Sequence, residues 1–154
     1  MSSRPPGPER PGAIRVMTPA DYDAVSGLLR ATEGVVLRAA DSRAATARYL
    51  ERNPGLSFVC CDAGGVVGCV FAGHDGRRGY LQHLAVHADY RRRGIGCALV
   101  ERCVAALADA GIGKCHLDVL TTNATAAEFW RRRGWQRRDD IVRYSWLNAD
   151  DANA

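Results

Sequence analysis

The chain has 154 residues, 47% of them hydrophobic and 25% charged, with a formal net charge of +4. That balance suits one globular domain and excludes a disordered polyelectrolyte, a collagen-like chain and a coiled-coil rod. No apolar run reaches the roughly 18 residues that a membrane-spanning helix needs.

Residues 1–12 read as a flexible Pro-rich tail, with no apolar stretch for a secretory signal or an anchor. Residues 13–148 read as one domain and 149–154 as a flexible C-terminal tail. Ala13 to Met17 is a first strand. Thr18-Pro19-Ala20-Asp21 then has the makings of a helix start: a capping threonine, a proline in the first turn and an acid three positions on. Tyr22, Val25, Leu28 and Leu29 share one face of that helix. After an irregular stretch from Thr32 to Ala40, Asp41-Ser42 caps a second helix carrying Ala45, Tyr49 and Leu50, which Asn53-Pro54-Gly55 ends.

Leu56–Cys61 and Val66–Ala72 are strands joined by a hairpin turn at Asp62-Ala63-Gly64-Gly65. Tyr80–Val86 is another strand. A long helix follows, with Ile95, Leu99, Cys103, Ala106 and Ala110 on its apolar stripe and Gly111 at its end. Cys115–Leu120 is a strand, Asn123–Arg133 a helix closed by Gly134, and Trp135–Arg138 and Ile141–Leu147 two last strands. The order is β-α-α-β-β-β-α-β-α-β-β, an α/β domain without repeats.

Six cysteines form no CxxC pair, so neither a zinc ribbon nor a redox motif is expected, and no metal. They read as small buried hydrophobes of a reducing, cytoplasmic setting. Among the basic residues only Lys114 is not arginine. Arginine suits phosphate, although a GC-rich genome gives the same bias. Arg131-Arg132-Arg133 beside Trp130 and Trp135 has the composition of a single-strand nucleic-acid site. Three consecutive helical residues do not share a face, however, so a solvated helix end is the better reading.

The chief chemical signal is Leu84-Ala85-Val86 leading into Arg91-Arg92-Arg93-Gly94-Ile95-Gly96. A helix start leaves amides without partners and carries partial positive charge. Glycines there let an anionic oxygen approach the backbone. Neither GxxxxGK[ST] nor GxGxxG occurs, so this is neither a Walker loop nor a dinucleotide fingerprint.

Arg-x-x-Gly-x-Gly after a β-run resembles the acyl-CoA motif of the GNAT N-acetyltransferase superfamily, in its small bacterial branch. Asn123, Ala126, Phe129, Trp130, Gly134 and Trp135 resemble that superfamily's second signature, and the likeness spans residues 13–148. It implies a mixed, mostly antiparallel central sheet flanked by helices, with a splay between strands 4 and 5. It also implies acetyl-CoA as cosubstrate and a primary amine as acceptor: a protein N-terminus, a lysine or a small metabolite. No nucleic acid or membrane partner follows from it, and a homodimer stays open.

By the same resemblance, backbone groups of Leu84, Ala85 and Val86 bind pantetheine and direct an N–H at the thioester carbonyl. Amides of Arg91, Arg92, Arg93, Gly94, Ile95 and Gly96 hold the pyrophosphate, and one of the three arginines reaches the 3′-phosphate. Asn123 bonds pantetheine or fixes the adjacent helix, and Phe129 packs along the cofactor. The catalytic base stays open among Asp118, Glu33 and His83. Trp130 stands where many relatives carry a tyrosine acid; indole donates a hydrogen bond but gives up no proton at neutral pH. That departure motivates a second reading, a CoA-binding sensor without turnover.

Overall fold

The computed structural model describes residues 12–148; apart from Gly12, the tails expected at 1–12 and 149–154 lie outside it. Five strands make one sheet in chain order: β1 Ala13–Val16, β2 Phe58–Asp62, β3 Gly65–His74, β4 Gly79–Val86 and β5 Cys115–His116. The first three pairings are antiparallel and β4–β5 is parallel. The β2–β3 hairpin closes through Ala63 and Gly64 at φ +49° and +79°, the left-handed pair that a two-residue turn of matching twist needs.

Helices α1 (Tyr22–Arg30) and α2 (Arg43–Arg52) cover one face of the sheet. Val25, Leu28, Leu29 and Leu50 pack there on Val59, Cys69, Phe71 and Ala85. Helix α3 (Ile95–Asp109) covers the other face with Ile95, Leu99, Val100, Cys103 and Leu107. Its stripe runs through Leu107 where Ala110 was expected, because Ala110 caps the helix instead. Gly68 lets α3 settle onto the sheet, since a Cβ there would stand 3.1 Å from both Ile95 and Leu99. Helix α4 (Ala124–Arg132) follows β5, and Asn123 Oδ1 accepts from the Ala126 amide at its start.

The structure departs from the sequence reading at the C-terminal end. β5 stops at His116 rather than Leu120, and the stretches 135–138 and 141–147 are not strands. The cause is the ladder: β4 and β5 pair only at Gly79–Cys115 and Tyr80–His116. With no adjoining partner, β-branched and aromatic residues have the propensity for a strand but nothing to bond. Val142, Tyr144 and Trp146 are therefore exposed. Among the described residues no helix is long and apolar enough to cross a membrane.

Candidate active site

The site is built around an irregularity in β4. Cys69 pairs with Ala85 and Phe71 with Gln82, so Val70 of β3 faces two residues of β4, His83 and Leu84. This is a β-bulge, and His83 occupies the left-handed region at φ +50°. A bulge reverses which face each later residue occupies. Leu81 belongs to the α3 side of the sheet, whereas Ala85, four residues on, belongs to the α1–α2 side. Strict alternation would have turned His83 toward Leu81. Instead Gln82 and His83 both line a cleft on the α2 side.

That cleft has a volume of about 350 Å³, walled by Arg48, Tyr49 and Arg52 of α2 and by Phe71, Gln82 and His83 of the sheet. His83 Nε2 lies 2.7 Å from Asp41 Oδ1. The imidazole sits edge-on to Phe71, with ring centroids 6.1 Å apart. Asp41 is held in turn: its Oδ2 accepts from the Arg38 amide at 2.8 Å, and its carbonyl accepts from the Tyr22 hydroxyl at 3.0 Å. An ionised carboxylate can only accept. Nε2 therefore carries a proton, and in the neutral ring Nδ1 presents the lone pair. Tyr49 has a hydroxyl with no hydrogen-bond partner among the described residues, and burial pushes its pKa up to about 12.

The other edge of β4 is open. Because β5 leaves after Tyr80, Leu81 to Val86 have no neighbouring strand on that side among the described residues. The slot leads to the start of α3, where Arg92 and Gly94 are both left-handed, at φ +62° and +78°. The amides of Gly94, Ile95, Gly96 and Cys97 bond to no described residue outside the helix. They add to the partial positive charge of a helix start. The three arginines divide. Arg91 Nε donates back to Val86 O at 3.3 Å, and Arg93 stacks 4.9 Å from the centre of the Tyr90 ring. Arg92 is exposed.

Helix α4 closes this end. Phe129 lies against Gly96, where a Cβ would stand 3.4 Å from its ring. Trp130 meets Phe129 and Trp135 edge-on, at 5.0 Å in each case. Arg133 Nε donates to Cys97 Sγ at 2.7 Å, which brings a guanidinium to the first turn of α3. The arginine run is the solvated helix end that the sequence suggests: all three are exposed, Arg131 and Arg132 pair with Glu128, and Arg133 also donates to the Phe129 carbonyl at 3.0 Å.

Of the three candidate bases, only His83 lines the cleft. Asp118 is exposed and doubly bound by Arg143, at 2.7 and 2.9 Å. Glu33 is exposed on the α1–α2 connection. Its neighbour Gly34 touches Asn123: a Cβ there would meet the Asn123 amide nitrogen at 2.8 Å. Asp41 was legible only as a helix cap, and its pairing with His83, across 42 positions, left no local signal.

The Acetyltransferase (GNAT) family model matches residues 23–135. The chain is 36% identical over 95 residues to an acetyltransferase of Sodalis glossinidius, covering 62% of this chain and 67% of that protein. It is 33% identical over 130 residues to an acetyltransferase of Pectobacterium atrosepticum, covering 84% and 91%. The fold is similar to the PaiA N-acetyltransferase of Thermoplasma acidophilum, solved in complex with coenzyme A. That likeness has a TM-score of 0.72 at 16% identity, over 84% of this chain and 92% of that one. A sheet that parts beside a helix start rich in open amides thus defines an acyl-CoA-dependent N-acetyltransferase. The chain belongs to the GNAT acetyltransferase family.

Proposed function

We propose that the protein moves the acetyl group of acetyl-CoA directly onto a primary amine seated in the His83–Asp41 cleft. Pantetheine lies along the open edge of β4, where backbone donors would otherwise need water. An N–H at the Leu84 bulge directs a hydrogen bond to the thioester oxygen and steadies the oxyanion of the tetrahedral intermediate. The pyrophosphate takes the amides from Gly94 to Cys97. Arg92 is the arginine that turns to the 3′-phosphate, since Arg91 and Arg93 are engaged.

The amine must be neutral to attack. His83 Nδ1 takes its proton, the C–N bond forms, the C–S bond breaks, and the sulfur leaves as thiolate to be protonated by water. Asp41 is a positioning residue that fixes the imidazole's tautomer. Asn123 fixes α4, and Trp130 walls the site beside Phe129.

The observation that carries this reading is the imidazole held at the bulge by a carboxylate 2.7 Å away, inside a cleft that adjoins the open β4 edge. Purified protein is mixed with acetyl-CoA and a panel of amines, and thiol release is followed. Turnover that His83→Ala abolishes, with coenzyme A affinity kept, is expected. Tight coenzyme A binding without turnover across the panel would make the protein a sensor instead.

A further inference from the structure

We infer that the acceptor is a small amine that also carries an anionic group, its anion seated on Arg48 and Arg52 and its amine at His83. This rests on the reading of the cleft as the acceptor site.

Arg48 and Arg52 stand four apart on α2, so their side chains emerge from one helix face, one above the other. Like charges at that spacing oppose the helix. Both line the cleft. Neither makes a hydrogen bond or ion pair with a described residue, Glu51 of the same helix included. Some exposed arginines elsewhere find carboxylates, as Arg43 does at Asp23, Arg138 at Asp140 and Arg143 at Asp118, while others such as Arg30 and Arg77 form no ion pair with a described residue but do not line the cleft with a second cation. The cleft's own carboxylate, Asp41, is already taken by His83 and the Arg38 amide. The wall thus carries two guanidinium groups with no counter-charge, facing a histidine across a small volume. A guanidinium matches the planar fork of a carboxylate and the oxygens of a phosphate. A cavity of about 350 Å³ is the size of small-molecule sites rather than of protein docking grooves. The same cations repel polyamines, so the site selects by rejection as well as by attraction.

The probes are ω-amino acids from glycine to 6-aminohexanoate, each compared with the n-alkylamine of equal length. Wild-type kcat/KM favours the acid by about tenfold or more at the best-fitting length. In Arg48→Gln/Arg52→Gln that ratio collapses toward one. In Arg48→Glu/Arg52→Glu it reverses in favour of ω-diamines. Turnover of alkylamines without preference for the acids overturns the inference. So does turnover confined to a peptide with aspartate in second place. If no amine is turned over, the transfer reading fails by itself, and calorimetry of 6-aminohexanoate and its shorter homologues with coenzyme A-loaded protein decides the anion site. Heat that the double glutamine variant loses upholds it; no heat with the wild type removes it.

Discussion

Asp41→Asn tests the catalytic reading at one atom. The amide has the carboxylate's shape, so it can keep the cap on α2's approach. Its oxygen must then face the Arg38 amide, which only donates, at the 2.8 Å now held by Oδ2. The NH₂ is left facing His83 Nε2, at the 2.7 Å now spanned by a donated proton. Nε2 becomes an acceptor, the ring proton moves to Nδ1, and the lone pair that would take the amine's proton is gone. General-base help contributes about 10²–10⁴-fold. With water still able to act in a cleft open to solvent, we expect kcat to fall by about 10²–10³-fold, or roughly 2.7–4 kcal/mol of barrier. One hydrogen bond is traded for another, so stability should change by no more than about 1 kcal/mol. The assay is steady-state thiol release at saturating acetyl-CoA, with coenzyme A affinity from calorimetry and Tm as controls. Because Asp41 acts through His83, Asp41→Asn/His83→Ala should be no slower than His83→Ala alone. An Asp41→Asn protein with half the wild-type rate or more, or a double variant in which the two losses multiply, would refute the tautomer argument.

Three other expectations follow from the same geometry. Gly94→Ala places a side chain at φ +78° with nothing within 4 Å, so its effect is backbone strain alone. It should cost about 1–2 kcal/mol by thermal melting and weaken coenzyme A in calorimetry; wild-type values for both would remove the amide cradle. Asp21 is held below the usual carboxylate range by the Arg15 guanidinium and then by the Thr18 amide. A lowered folded pKa gives stability that is full above the ordinary carboxylate pKa and lost as pH falls through the folded value. Asp21→Asn should therefore cost about 1–2 kcal/mol at neutral pH, a figure discounted for the half-exposed Arg15, and should flatten the loss of stability below about pH 4. Burial pushes the Cys69 and Cys103 thiols up to about 12. A thiol reagent at pH 8 should thus modify Cys61, Cys97 or Cys115 in the folded protein and reach Cys60, Cys69 and Cys103 only on unfolding; early loss of Cys103 would show the core to be open.

Signals that live within a few residues of chain were readable. The Ala63-Gly64 turn and the glycine-rich start of α3 follow from local backbone demands, and the structure places both as expected. The periodicity of α1 likewise gave its buried face. What could not be read depends on partners far along the chain. His83 looks like any strand residue until the bulge against Val70 turns it over, and Asp41 looks like a cap until the α1–α2 connection carries it there. Asp118 is a strand residue only while Cys115–Leu120 stays in the ladder. Once β5 ends at His116, that residue turns to solvent and Arg143. Arg133 was one of three adjacent arginines, and only the packing of α4 on α3 sets it apart.

An unfilled sheet margin is a hazard as well as a slot, because any extended segment of another molecule can zip onto it. Here the exposed margin of β4 runs only from Leu81 to Val86. The left-handed turn at His83 breaks the spacing of its donors and acceptors midway. A foreign strand could match two or three positions before slipping out of step, too few to hold. The kink that turns the histidine toward the cleft therefore also works against strand pairing between copies of the chain.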